Sequence, residues 1–174
     1  MRHILGFAVL LASAPAGAEV VGSSANGFEI SHTVNLVAKP EVAFAAFGNV
    51  AAWWTAEHTY SGSPKNLTMA LSPGGCFCER FPNGGGIEHM RVTYVDPNKR
   101  IVLTGSLGPL LFEATSGVMD VQVKSRGGGS QLVLNYRAAG FHKGGAAATA
   151  PLVDKVLGEQ LRRYRAFVTA RPRT

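Results

Sequence analysis

The chain has 174 residues, a formal net charge of +6 and two cysteines, about the usual size of one domain and unlike a disulfide-stapled mini-protein. Positive and negative charges balance over residues 19–154, so apart from Arg2 the whole excess lies on Lys155–Thr174; the basic stripe with interleaved aromatics that marks a nucleic-acid binder is missing. Beyond the first 18 residues, no apolar run approaches the roughly 20 residues that cross a bilayer.

In chain order, Met1–Ala18 reads as a secretory signal. Arg2 and His3 form a positive start, Ile4–Ala12 an apolar core, and Ala16-Gly17-Ala18 a small-residue cleavage site before Glu19. Residues 19–174 are then expected to work as one domain in the periplasm or outside the cell.

Gly27–Val37 alternates, with Phe28, Ile30, His32, Val34 and Leu36 on one face of a strand. Ala38-Lys39-Pro40 opens a short helix, where a first-turn proline loses nothing by lacking its N–H; a second short helix ends at Trp53-Trp54. From Leu67 the period is that of strands: Leu67–Leu71, Cys76–Phe81, Ile87–Val95, Ile101–Leu107, Val118–Lys124 and Gln131–Arg137. Asn83-Gly84 and Gly127-Gly128-Gly129 supply hairpin turns, and Asp96-Pro97-Asn98-Lys99 a type I turn. Gly140–Ala150 reads as a Gly/Ala-rich loop. A long amphipathic helix closes the chain, with Val153, Val156, Leu157, Leu161, Tyr164 and Val168 on one face.

Consecutive antiparallel strands with helices to one side make an α+β domain: about seven strands curved around a long C-terminal helix, with two short helices after the first strand. The layout resembles the helix-grip fold of the START-related superfamily (SRPBCC), in its polyketide cyclase/dehydrase and chaperone-ATPase-activator-like branches. The resemblance rests on Lys39–Phe44, Trp53-Trp54, Pro73-Gly74-Gly75, Gly108-Pro109 and the last helix, with Trp53–Gly62, Gly75–Glu79 and Glu88-His89-Met90 pointing to an exported bacterial subset.

The resemblance implies a cavity between the sheet and the last helix, used by relatives for lipids, polyketides or other apolar molecules and by a minority for chemistry; it does not by itself imply an enzyme. Its expected lining is Trp53, Trp54, His58, Met69, Phe77 and Met90, with Val92, Tyr94, Leu103, Leu157 and Leu161. The first expectation is therefore an exported protein that holds a small apolar or amphipathic ligand and needs no cofactor. The basic last helix adds a weak contact with anionic membrane surfaces.

The most unusual residues lie across the Asn83-Gly84 turn. A two-residue turn sets Cys76 opposite Arg91, Cys78 opposite His89 and Glu79 opposite Glu88; a slip of one residue would pair Glu79 with His89 and flip the faces. The cysteines leave three readings open. An i, i+2 disulfide must close a span of about 6.6 Å in a regular strand, at the limit of disulfide geometry. A zinc or copper site would use Cys76, Cys78 and His89. Reduced thiols are the third. Glu79, Glu88 and His89 are the candidate acids and bases for a cyclase/dehydrase-like or hydrolytic enzyme, the alternative to a binding protein; a metal-binding or interaction module is the third class.

Overall fold

The computed structural model describes residues 18–170. The signal-peptide assignment thus lies outside the described residues except for Ala18. Eight strands form one antiparallel sheet: β1 (Ala18–Ser23), β2 (Gly27–Leu36), β3 (Leu67–Met69), β4 (Cys76–Arg80), β5 (Gly86–Asp96), β6 (Arg100–Gly105), β7 (Thr115–Arg126) and β8 (Gly129–Gly140). Their order across the sheet is β1-β2-β8-β7-β6-β5-β4-β3. Two α-helices, α1 (Pro40–Gly48) and α2 (Ala146–Thr169), accompany it. The curved α+β sheet with its long C-terminal helix is as expected, but the strand count is eight rather than seven. The added strand is β1, a short edge segment held to β2 through its backbone.

Alternation builds the inner face. Phe28, Ile30, His32, Val34 and Leu36 of β2 are all buried, as are Leu132, Leu134, Tyr136 and Ala138 of β8. On α2 the buried positions Ala146, Ala150, Leu157, Leu161, Tyr164 and Val168 recur at helical spacing. Polar ties fix the helix. The Tyr164 hydroxyl donates to the Ala43 carbonyl at 2.7 Å, Arg163 Nε donates to the Trp53 carbonyl at 3.0 Å, and the Thr55 N–H donates to Gln160 Oε1 at 2.9 Å.

α2 begins at Ala146, several residues before the expected start, because the alanine-rich run propagates a helix well and Pro151 is taken up inside it. Gly108–Glu113, expected only to break a strand, forms a 3-10 helix with Pro109 in its first turn. Further 3-10 turns span Val50–Ala52, Ala56–His58 and Pro64–Asn66.

The register of β5 departs from a plain ladder twice. Against β4, Cys76 faces Arg91 and Phe77 faces Met90, but Cys78 then faces Glu88 and Glu79 faces Ile87. His89 is the extra residue of this bulge. The expected pairs of Cys78 with His89 and Glu79 with Glu88 are therefore replaced. Against β6, a second bulge falls at Thr93, between the pairs Val92–Leu103 and Tyr94–Val102.

Candidate functional site

The first bulge puts two consecutive residues of β5, His89 and Met90, inside the protein. A regular strand would turn one of them out. His89 thereby meets Glu79 of β4, whose side chain is also buried: His89 Nε2 lies 3.3 Å from Glu79 Oε2. The carboxylate takes two further hydrogen bonds from the backbone N–H groups of Tyr60 (3.0 Å) and Ser61. The Tyr60 ring stacks on His89 with centroids 6.0 Å apart, and Phe77 packs against it at 5.0 Å.

This arrangement sets the protonation states. Burial pushes the Glu79 carboxyl up, but the hydrogen bonds from Ser61, Tyr60 and His89 outweigh it and hold the pKa below its ordinary value. Burial pulls His89 down, and the neighbouring Glu79 only partly restores it, so the imidazole is held below its usual pKa. An ionised carboxylate only accepts hydrogen bonds. Nε2 therefore carries the hydrogen and donates a hydrogen bond to Glu79, leaving Nδ1 as a lone pair with no partner in the structure.

His89 is also part of the wall of a cavity of about 470 Å3, within the range of small-molecule sites. The apolar wall comes from Trp54, Leu107, Pro109 and Leu110 on one side and from Leu152, Val153 and Val156 of α2 on the other. Glu57, His58, Tyr60, Glu113 and Lys143 add polar groups. Trp54 is set by its indole N–H, which donates to the His58 carbonyl at 2.8 Å. His58 Nε2 lies 3.6 Å from Glu159 of α2, joining the Ala56–His58 turn to the helix.

Of the residues expected to line a cavity, Trp54 and His58 do so here. Trp53, Met69, Phe77, Leu157 and Leu161 instead surround, with Trp54, a void of only about 10 Å3; aromatic packing of Trp53 with Phe47, Trp54 and Tyr164 fills the centre. Met90, Val92 and Leu103 are buried in the core. Tyr94 is turned outward by the Thr93 bulge, 48% exposed and with Arg100 over its ring. Glu88 is exposed on the outer face, paired with Arg91. Sequence reasoning placed His89 at the cavity only as a candidate acid or base of the enzyme alternative and missed Glu113 altogether; the only available signal for the latter was Gly108-Pro109, which marks the segment that carries it.

Cys76 and Cys78 form a disulfide with a Cα–Cα separation of 5.3 Å, inside the usual range. Their sulfurs and a Glu88 carboxylate oxygen lie within 4.8 Å of one another. His89 is not part of this group, because the bulge takes it to the inner face. Sulfurs joined to each other offer no thiolate, and Glu88 is already engaged by Arg91, so the group does not fit a metal while the disulfide is formed. Among the described residues, no helix is long and apolar enough to cross a membrane.

No protein-family model matches the chain, and no curated protein matches it. Solved structures do. An uncharacterised protein from Rhizobium leguminosarum superimposes with a TM-score of 0.58 at 18% identity, over 85% of this chain and 98% of the other. CalU16 from Micromonospora echinospora gives 0.58 at 11%, over 88% and 87%. The Aha1 dimer from Colwellia psychrerythraea gives 0.55 at 19%, over 82% and 96%. At such identities the likeness shows the fold alone: an α+β domain compatible with the helix-grip class.

Proposed function

We propose that the protein holds a small apolar or amphipathic molecule in the cavity between the Ala56–His58 turn, the Gly108–Glu113 segment and the N-terminal half of α2. The observation that carries this is the cavity itself: about 470 Å3, apolar in most of its wall, beside a core packed down to a void of about 10 Å3. A domain able to fill its centre so closely has left this volume open. Titration with the neutral probe N-phenyl-1-naphthylamine should give saturable one-to-one binding and quench Trp54, which stands in the wall. No saturable binding by this or other apolar probes would overturn the reading. The reading includes export, supported by the leader-like residues 1–18; N-terminal sequencing of protein recovered from the periplasm tests that part.

A second reading, acid–base catalysis, is favoured by the Glu79–His89 pair. A neutral imidazole held by a buried carboxylate, on a residue of the cavity wall, has the form of a general base. Nδ1 would take a proton from a carbon or oxygen acid, and Glu79 would stabilise the resulting imidazolium. Proton–deuterium exchange at the α-carbon of 2-tetralone, followed by NMR, should exceed the buffer rate and disappear in a folded His89→Phe variant. Exchange at the buffer rate in the native protein would remove catalysis and leave binding.

A further inference from the structure

Cys76 and Cys78 alternate along β4 with the buried Phe77 and Glu79, so their side chains lie on the outer face of the sheet. Both are half-buried. The residues paired with them across the two ladders, Thr68 of β3 and Glu88 and Arg91 of β5, are exposed.

The bond between the two sulfurs contributes little to the fold. It joins residues two apart in one strand, whereas a cross-link stabilises mainly by closing a long loop. The backbone of Cys78 is already held between Thr68 and Glu88, and that of Cys76 against Arg91. Phe77, which separates them, is buried and paired with Met69 and Met90. Opening the bond releases no loop and frees no element.

The same placement suits exchange chemistry. One laddered strand carries both cysteines, with Cα atoms 5.3 Å apart, so a thiol freed by attack on one sulfur stays beside the other. A Glu88 carboxylate oxygen, 3.8 Å from Cys76 Sγ, is placed to accept a hydrogen bond from the Cys76 thiol once it forms.

We propose that Cys76 and Cys78 form a thiol–disulfide exchange site, independent of the cavity, that oxidises partner thiols brought to the outer face of the sheet. A partner thiolate attacks one sulfur; a new S–S bond forms as the Cys76–Cys78 bond breaks, and the departing sulfur leaves as a thiolate that takes up a proton. A second partner thiolate attacks the mixed disulfide, so two partner thiols become one disulfide and the pair becomes two thiols. A small disulfide such as oxidised glutathione restores the pair by the reverse steps. The partner must offer an accessible thiolate, as a small thiol or a cysteine of an unfolded chain does.

The full chain is first treated with excess dithiothreitol, and the free thiols are counted by alkylation and mass spectrometry. Two thiols should appear while the protein stays folded, with its thermal midpoint nearly unchanged. Catalytic amounts are then added to two reactions: oxidation of reduced ribonuclease A by oxidised glutathione, and reduction of hydroxyethyl disulfide by glutathione. The expected result is about a tenfold acceleration over the uncatalysed exchange in at least one, and the reaction that responds tells a protein thiol from a small one. Cys78→Ser should abolish turnover and trap Cys76 as a mixed disulfide with glutathione. A disulfide that resists dithiothreitol in the folded protein, or whose reduction unfolds it, overturns the proposal without need of a variant. So does acceleration of neither reaction, or turnover that survives Cys78→Ser. Binding of apolar probes in the cavity is untouched by any of these outcomes.

Discussion

Glu79 shows how much one buried side chain can organise. Its carboxylate holds the Tyr60 and Ser61 backbone on one side and His89 on the other, so it fixes both a loop and the tautomer of a ring. Removing the carboxylate leaves buried donors, the His89 Nε2–H and the Tyr60 and Ser61 N–H groups, without their acceptor. Glu79→Ala should therefore cost about 1–3 kcal/mol, read from urea unfolding, and should leave the Tyr60 stack on His89 loosened. Little of this could be read from the sequence. Glu79 and His89 stood out as titratable residues near a turn, but a plain ladder separates them, and the single residue that brings them together is an insertion to which alternation is blind. The i, i+2 cysteines were legible only as a set of alternatives, because strand spacing alone puts them at the edge of bonding distance.

Titration at this scale has a definite sign. His89 is held below its ordinary value by burial, and so is His32, against the raising effect of Asp154 at 2.9 Å and with a smaller lowering effect from Arg162. A histidine whose folded pKa is lowered binds fewer protons folded than unfolded, so its contribution is present above the unfolded value of 6.5 and is lost as pH falls below it. Glu79, also lowered, holds its contribution above 4.5 and loses it as pH falls further. Urea midpoints should therefore fall from pH 8 to pH 5.5 and again below 4.5. A midpoint that rises on acidification through 6.5 would contradict the assignment of two buried neutral imidazoles.

Among the elements, those with an unbroken period were legible and those with an insertion or an exception were not. β2 and β8 alternate from end to end, and their inner faces are those that alternation gives. β5 does not, and the Thr93 bulge sends Tyr94 outward although its number has the parity of Met90 and Val92. The Gly108–Glu113 segment, which supplies one wall of the cavity, carries too short a pattern to announce itself as a helix. The start of α2 hides behind Pro151, which signals a break although the helix runs through it. That proline removes the bond its N–H would make to the Ala147 carbonyl and crowds the same oxygen. Pro151 is exposed, so Pro151→Ala should restore the bond without disturbing the core and stabilise the protein by roughly 1 kcal/mol or more. The rise should appear in thermal unfolding. No gain would mean that the first turn of α2 is held by its tertiary contacts alone.

At the scale of the molecule, the two halves of α2 border different interiors. Its C-terminal half carries Leu157, Leu161 and Tyr164 into the aromatic cluster and closes the space against the sheet. Its N-terminal half offers Ala148, Thr149, Leu152, Val153 and Val156 to the wall of the cavity, and there the space remains open. A heptad-like face looks the same along both halves in sequence; what differs is the bulk of what faces it, a three-dimensional property. The two halves should respond to substitution in opposite ways. Leu161→Ala removes packing from the closed half and should cost about 2–5 kcal/mol while leaving the affinity for an apolar probe nearly unchanged, once measured where the variant is folded. Val156→Trp fills the open half and should leave the unfolding midpoint close to native while abolishing probe binding. If Val156→Trp unfolds the protein, or if Leu161→Ala loses the probe as readily as stability, the cavity and the core are one continuous space, and the helix does not partition the interior as its side chains indicate.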